Sequence, residues 1–298
     1  MELFNNEDSS VEKYVSENNI KSFFPRSELN DWTPLWEKLA FFFIGFLGLR
    51  LFSIIVQYII LATPLVSVKD GVLTVSDLAY ALINFFTYLL LVIAFVLFIF
   101  LDRRKTYQRI FKELKQPRTY LWALVAFGMV IALQNILSLS FSALFPFYGS
   151  NENQNSVETI FAASPALVFI MTVFFAPFCE ELTYRIGLVD TIGHRYSLRW
   201  LGIAISAVIF GLIHADIINS YRSLLSGISE GLGEAQITAL RNNVYNELLN
   251  LPIYMFSGFA LAFVYAKSGK ITSSMMGHMG VNLFSMIAII IQMASKNA

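Results

Sequence analysis

The sequence predicts an all-α fold: a polytopic transmembrane helix bundle of about seven spans with an interfacial amphipathic segment. Three observations carry this expectation. Only 14% of the 298 residues are charged and 56% are hydrophobic, with mean hydropathy +0.60. Soluble domains carry about 25% charged residues, and a larger core cannot absorb that deficit in a chain of this length. Seven stretches approach the ~20 apolar residues that cross a bilayer, and the loops between them differ sharply in Lys/Arg content. The net charge of zero gives nucleic acid no footing as a partner. The one cysteine, Cys179, excludes an internal disulfide and a Cys-rich metal site.

Residues 1–35 are polar and mixed in charge, without the basic start and apolar core of a secretory signal. They read as a cytoplasmic tail, soluble or interfacial, with a short helix around Val11–Asn19. No CaaX-type terminus or myristoylation pattern is present, so anchoring is expected from the spans themselves. Those run roughly Trp36–Ala62, Leu78–Leu101, Tyr120–Phe145, Phe161–Glu181, Trp200–His214, Leu248–Ala266 and Ile271–Met293. Residues 36–145 read as N-terminal transmembrane helices and 158–294 as the bundle carrying the chemistry. Asp216–Asn250 is amphipathic and predicts one or two interfacial helices.

Loop charge predicts orientation. The tail through Lys38, the loop from Asp102 to Arg118, the loop Arg185–Arg199 and the turn Lys267–Lys270 hold sixteen Lys/Arg, against four (Lys69, Arg222, Arg241 and Lys296) on the other side. The N-terminus is therefore expected in the cytoplasm and the C-terminus outside, in a bacterial plasma membrane.

Ionisable residues inside spans are costly and usually face a bundle interior or a watery cavity. Here they gather late in the chain: Glu180, Glu181 and Arg185 after an apolar run, His214 at the end of VIFGLIHAD, His278 and Asn282 in SSMMGHMGVNLF. Glu181 and Arg185 are i,i+4 and can pair, in the better order for a helix. Glu180 is rotated about 100° away and stays free to act. His278 and Asn282, and likewise Phe210 and His214, share helix faces at the same spacing.

Depth is the difficulty. If the fourth span continues to about Gly193 and the chain reverses at His194–Ser197, Glu181 lies ~18–20 Å from that turn and His214 ~25 Å. His278 lies only ~12 Å from the Lys267–Lys270 turn.

The three patches resemble the signature of the CAAX protease and bacteriocin-processing family, also called the Abi family, of intramembrane proteases. Its EExxxR, FxxxH and HxxxN motifs stand here as Glu180-Glu181-Leu182-Thr183-Tyr184-Arg185, Phe210-Gly211-Leu212-Ile213-His214 and His278-Met279-Gly280-Val281-Asn282. The likeness covers about Phe161–Met293. Tyr184 and Ile186 stand where many members have Phe and Gly, which alters packing and leaves every catalytic type in place.

The resemblance implies an intramembrane endopeptidase acting on a membrane-associated or hydrophobic peptide or protein. Glu180 would be the general base. His214 would share the proton work or position the water, His278 and Asn282 would meet the oxyanion, and Glu181–Arg185 would orient the base. A divalent metal such as zinc is left open, with Glu181, His214 and His278 as a His₂Glu set; the metal-free route is preferred because Asn282 has a natural oxyanion role. Against catalysis stand plainer roles for each part: a cap for the glutamates, a charge anchor for Arg185, interhelical bonds for His278 and Asn282. The partners expected are the peptide substrate, the bilayer and a regulatory membrane protein. A silent scaffold of the same fold is the competing reading. A transporter is disfavoured, because no inverted repeat is evident.

Three further residues stand apart from the motifs. Arg50, mid-span, is expected to find a structural partner in the bundle interior, with gating or carboxylate binding as the alternative. Cys179 is expected to be an inert buried thiol. His194 is expected to be solvated in the basic turn.

Overall fold

The computed structural model describes residues 23–24, 35–69, 72–102, 105–149, 151–193 and 198–296. The helix expected around Val11–Asn19, the turn His194–Ser197 and His194 lie outside the described residues. Of the tail, Phe24 is buried and stacks edge-on against Trp200 at 5.1 Å.

Ten helices and one hairpin follow in order among the described residues. Helix α1 (Leu35–Leu61) leads to the antiparallel pair β1 (Val66–Lys69) and β2 (Val72–Val75), in register Val66 with Val75 and Val68 with Leu73. Helix α2 (Asp77–Leu101) starts at Ser76, whose hydroxyl accepts from the Ala79 amide at 3.2 Å. The short amphipathic α3 (Thr106–Leu114) precedes α4 (Pro117–Leu144), which opens on a proline where no amide is needed. Helix α5 (Glu152–Ala163) is capped by Asn151. Then come α6 (Pro165–Ile192), α7 (Arg199–His214), α8 (Ile217–Ser229), α9 (Glu234–Ser268) and α10 (Ile271–Lys296).

Seven helical stretches are long and apolar enough to cross a membrane. Large apolar side chains cover the outside: Tyr58 is 73% exposed, Leu101 82% and Leu139 70%. Such a surface suits lipid, and the molecule is an all-α, polytopic integral membrane protein. The small hairpin between α1 and α2 is the departure from pure helix. The fourth span does not stop at Glu181 but runs on to Ile192. The amphipathic stretch Asp216–Asn250 forms α8 and then merges into α9, a 35-residue helix.

Helix α6 lies at the centre, against α1, α2, α7 and α10, while α4 packs on α9 and α10. Two glycines let α1 approach α6: a β-carbon on Gly187 would lie 2.7 Å from the Phe42 amide nitrogen, and one on Gly45 would overlap Thr183. Beneath them the core gathers Phe41, Leu91, Phe95, Leu182, Ile186 and Ile203.

The ends are held by charge. Glu113 of α3 accepts from the Thr272 amide (3.0 Å) and hydroxyl (2.6 Å) at the start of α10. Arg109, paired with Glu113 at 2.7 Å, donates to the Gly269 carbonyl at the end of α9 (2.6 Å). A carboxylate thus meets a helix N-terminus and a guanidinium a C-terminus, each the favoured sign. Gly269 makes that turn in the left-handed conformation, φ +67°. Residues Ile271, Thr272, Ser273 and Ser274 are all buried, Thr272 against α3 and Ser274 against Glu181 of α6. Helix α10 therefore begins inside the bundle rather than at its surface, so His278 sits deeper than residue counting suggests.

Candidate active site

Glu181 and Arg185 form a fully buried, two-pronged ion pair: Nε to Oε2 at 2.9 Å and an Nη to Oε1 at 3.1 Å. The second Nη donates to Ser206 of α7 at 2.8 Å, and the guanidinium lies over the Phe210 ring, 5.4 Å from its centroid. The Ser274 hydroxyl reaches Glu181 Oε2, and His278 Nδ1 donates to Oε1 at 3.0 Å. A buried pair is tolerable only when its remaining donors and acceptors are satisfied. Here the satisfaction comes from α7 and α10, so the pair fixes three helices in one register.

Glu180 points the other way. Its Oε2 lies 3.9 Å from His214 Nε2 and 3.9 Å from His278 Nε2, and Tyr88 of α2 donates to its Oε1 at 3.2 Å. His214 Nδ1 donates to the Phe210 carbonyl at 2.8 Å, and its ring lies between Phe210 (4.4 Å) and Tyr254 of α9 (5.1 Å). With both Nδ1 atoms engaged, both imidazoles turn Nε2 towards the same carboxylate oxygen. At 3.9 Å neither is directly bonded to it.

Side-chain direction closes the expected depth gap. Side chains lean towards the N-terminus of their own helix. Helices α6 and α7 run in opposite directions, so Glu180 leans away from the turn joining them and His214 leans back towards it. The leans add, and they span the ~5–7 Å that helix rise leaves between the two.

Asn282 is held differently. Helix α6 widens to π-type turns at Met171–Phe175 and at Leu182–Val189. Five residues beyond Thr172 stands Pro177, which has no N–H to give. The Asn282 amide takes that place, donating to the Thr172 carbonyl at 2.8 Å. One amide hydrogen and the carbonyl oxygen of Asn282 remain for other partners.

Glu180, His214, His278 and Asn282 line one cavity of about 660 Å³, with Tyr88 and Tyr254. Its floor includes Val130, Met171, Leu261 and Met286; its rim carries Asp77, Asn84, Glu152 and Asn153. The rim belongs to the starts of α2 and α5, at the end of the bundle away from α3 and the turn it binds. A second cavity of about 220 Å³ reaches His214 beside Ala215 and Asp216.

The remaining candidates fall outside this cavity. Glu181 and Arg185 stand behind it. Cys179 is 1% exposed and does not line it. Arg50 is exposed on α1, contrary to the expected interior partner. The set Glu181, His214 and His278 does not fit a metal: Glu181 meets the Nδ1 edge of His278, opposite Nε2, and its oxygens are occupied by Arg185, Ser274 and that imidazole.

Four contributors escaped the sequence reading. Ser206 and Ser274 had a signal, each standing four residues before a motif residue, Phe210 and His278, and so on the same helix face. Tyr88 and Tyr254 sit in apolar runs that give no hint of what they touch.

Residues 162–284 match the family model described as Type II CAAX prenyl endopeptidase Rce1-like. The chain is 23% identical over 167 residues to the "Putative membrane peptidase YdiL" of Bacillus subtilis (strain 168), covering 56% of this chain and 55% of that one. It is 26% identical over 201 residues to an uncharacterized protein of Mycoplasma capricolum subsp. capricolum, covering 63% of this chain and 49% of that one. The chain thus spans about half the length of the curated relatives it matches. No solved structure matches. The resemblance carried by the three motifs is borne out: residues 162–284, which contain all of them, are the part of the chain that matches the Rce1-like model.

Proposed function

We propose that the chain is an intramembrane endopeptidase and that Glu180 is its general base. One observation carries the reading: a carboxylate oxygen stands 3.9 Å from two imidazole nitrogens at the floor of a cavity. A gap of that size suits one shared oxygen atom bonded to all three groups at about 2.7–3 Å. In this mechanism a water there gives a proton to Glu180 as its oxygen attacks the peptide carbonyl carbon. His214, with its Nδ1–H held by Phe210, presents the Nε2 lone pair that positions the water. His278, held at Nδ1 by Glu181, offers Nε2–H to the oxyanion in its imidazolium form; the second Asn282 amide hydrogen joins it. When the C–N bond breaks, Glu180 passes its proton to the leaving amine, and a carboxylic acid and an amine result. No step is routed through a metal.

The cavity rim lies at the end opposite the basic loops. With the N-terminus in the cytoplasm, the reading places the bond to be cut on the extracytoplasmic side of a bacterial plasma membrane, in a peptide or protein at or in the membrane. The test is cleavage of a membrane-tethered reporter peptide by the full chain in proteoliposomes. Glu180→Gln, His214→Ala and His278→Ala are each expected to lower the rate by about 10²–10⁴-fold, while Cys179→Ala leaves it unchanged. Wild-type rates in all three overturn the proposal.

A further inference from the structure

Arg50 is a charged residue in the middle of a span, within electrostatic reach of the Tyr184 hydroxyl of α6 but matched by no carboxylate among the described residues. It is exposed, and it has no hydrogen-bond or ion-pair partner among the described residues. It lies on the lipid-facing stripe of α1 formed by Phe43, Leu47, Leu51, Ile54 and Tyr58, all about half exposed or more. Trp36 and Tyr58, both exposed, mark the ends of that face. They are twenty-two residues apart, ~33 Å of helix, close to the ~30 Å hydrocarbon thickness. Arg50 stands eight residues from Tyr58, or ~12 Å below that boundary. Its side chain leans towards the helix N-terminus, and so away from the nearer interface. Snorkelling to that surface is the wrong direction, and a lone charge so placed is costly in lipid.

The register of α1 on α6 fixes its level. Phe42 faces Gly187 and Gly45 faces Thr183. Five residues beyond Gly45, Arg50 is level with Phe178 and Cys179, adjoining Glu180 in the chain. The lipid face of α1 thus presents a guanidinium at the depth of the candidate active site.

We infer that this face docks a membrane-spanning helix of another protein carrying one Asp or Glu at mid-depth. Only a carboxylate matches the guanidinium in charge and two-pronged geometry and can also be delivered to that depth. A phospholipid headgroup stays at the interface. A second copy of this chain offers no counter-charge, because the mid-depth carboxylates Glu180 and Glu181 both face inward. The inference is independent of the proposed hydrolysis.

The test uses the full chain carrying Glu180→Gln, so that nothing is cut, in nanodiscs with a designed Leu/Ala single-span probe. Association is read by energy transfer for probes bearing Asp, Leu or Arg at the centre. The Asp probe is expected to bind about tenfold more tightly than the Leu probe. That preference should vanish in Arg50→Leu, survive in part in Arg50→Lys, and pass to the Arg probe in Arg50→Asp. Unchanged helicity and thermal midpoint certify folding of the variants. Equal binding of the Asp and Leu probes overturns the inference. So does probe-free self-association that Arg50→Leu abolishes, since the occupant would then be a second copy.

Discussion

Glu180 and Glu181 are neighbours in sequence with the same side chain, and the helix alone separates their surroundings. The ~100° between them sends one carboxylate into a dry pocket of donors and the other into a cavity. Their substitutions should therefore fail differently. Arg185→Leu leaves Glu181 as a buried charge without its cation and is expected to cost about 3–5 kcal/mol, read as a fall in thermal midpoint. Tyr88→Phe should leave stability nearly untouched, because water in the cavity can replace the lost donor to Glu180. The carboxylate is then less firmly positioned, and the rate should drop roughly tenfold. At this scale the sequence was a good guide to spacing along one helix: Glu181 with Arg185 and Phe210 with His214 came from counting. Contacts between helices were not countable. Nothing in the run FFTYLLL tells that Tyr88 meets Glu180, ninety-two positions on.

At the scale of elements, helix ends and helix crossings decide where the site lies. Counting residues from the turns left His214 too far from its partners and His278 too shallow. Lean direction corrected the first, and the burial of the first turn of α10, bonded to α3 and to Glu181, corrected the second. Both corrections follow from physics that a span count omits: the tilt of the Cα–Cβ bond, and carboxylates that bind the start of a helix. The hairpin of residues 66–75 was legible in principle, since VSVKDGVLTV sets Asp-Gly between β-prone runs; the apolar reading passed over it. The wide turn at Met171–Phe175 was hidden, although Pro177 is the mark of its missing hydrogen bond. The α1–α6 crossing is tightly packed, and Gly187→Ala would drive a methyl to 2.7 Å from the Phe42 backbone. That change is expected to destabilise the bundle by about 1–3 kcal/mol, measured by thermal unfolding in detergent. Gly128→Ala, where a β-carbon meets nothing within 4 Å, is the matched control and should be neutral to mildly stabilising.

For the whole molecule the account joins a charge asymmetry to a cavity. Sixteen Lys/Arg against four was visible at once, because topology is written in loop composition. The direction in which the cavity opens was not visible, because it depends on α5 and the start of α2 forming a polar rim above apolar walls. Together they predict sidedness. In cells carrying Cys179→Ala, a membrane-impermeant thiol reagent should label Asn153→Cys from outside and Lys112→Cys only after permeabilisation. The reverse pattern would place the rim in the cytoplasm.

The central claim is that Glu180, supported by two imidazoles, activates a water to cut a peptide bond. Mass spectrometry of products formed by the full chain in proteoliposomes containing ¹⁸O-water tests it most directly. The account predicts two fragments, the new carboxylate carrying the label, and no product from a folded Glu180→Gln chain. Labelled fragments appearing at an unchanged rate from Glu180→Gln would contradict it.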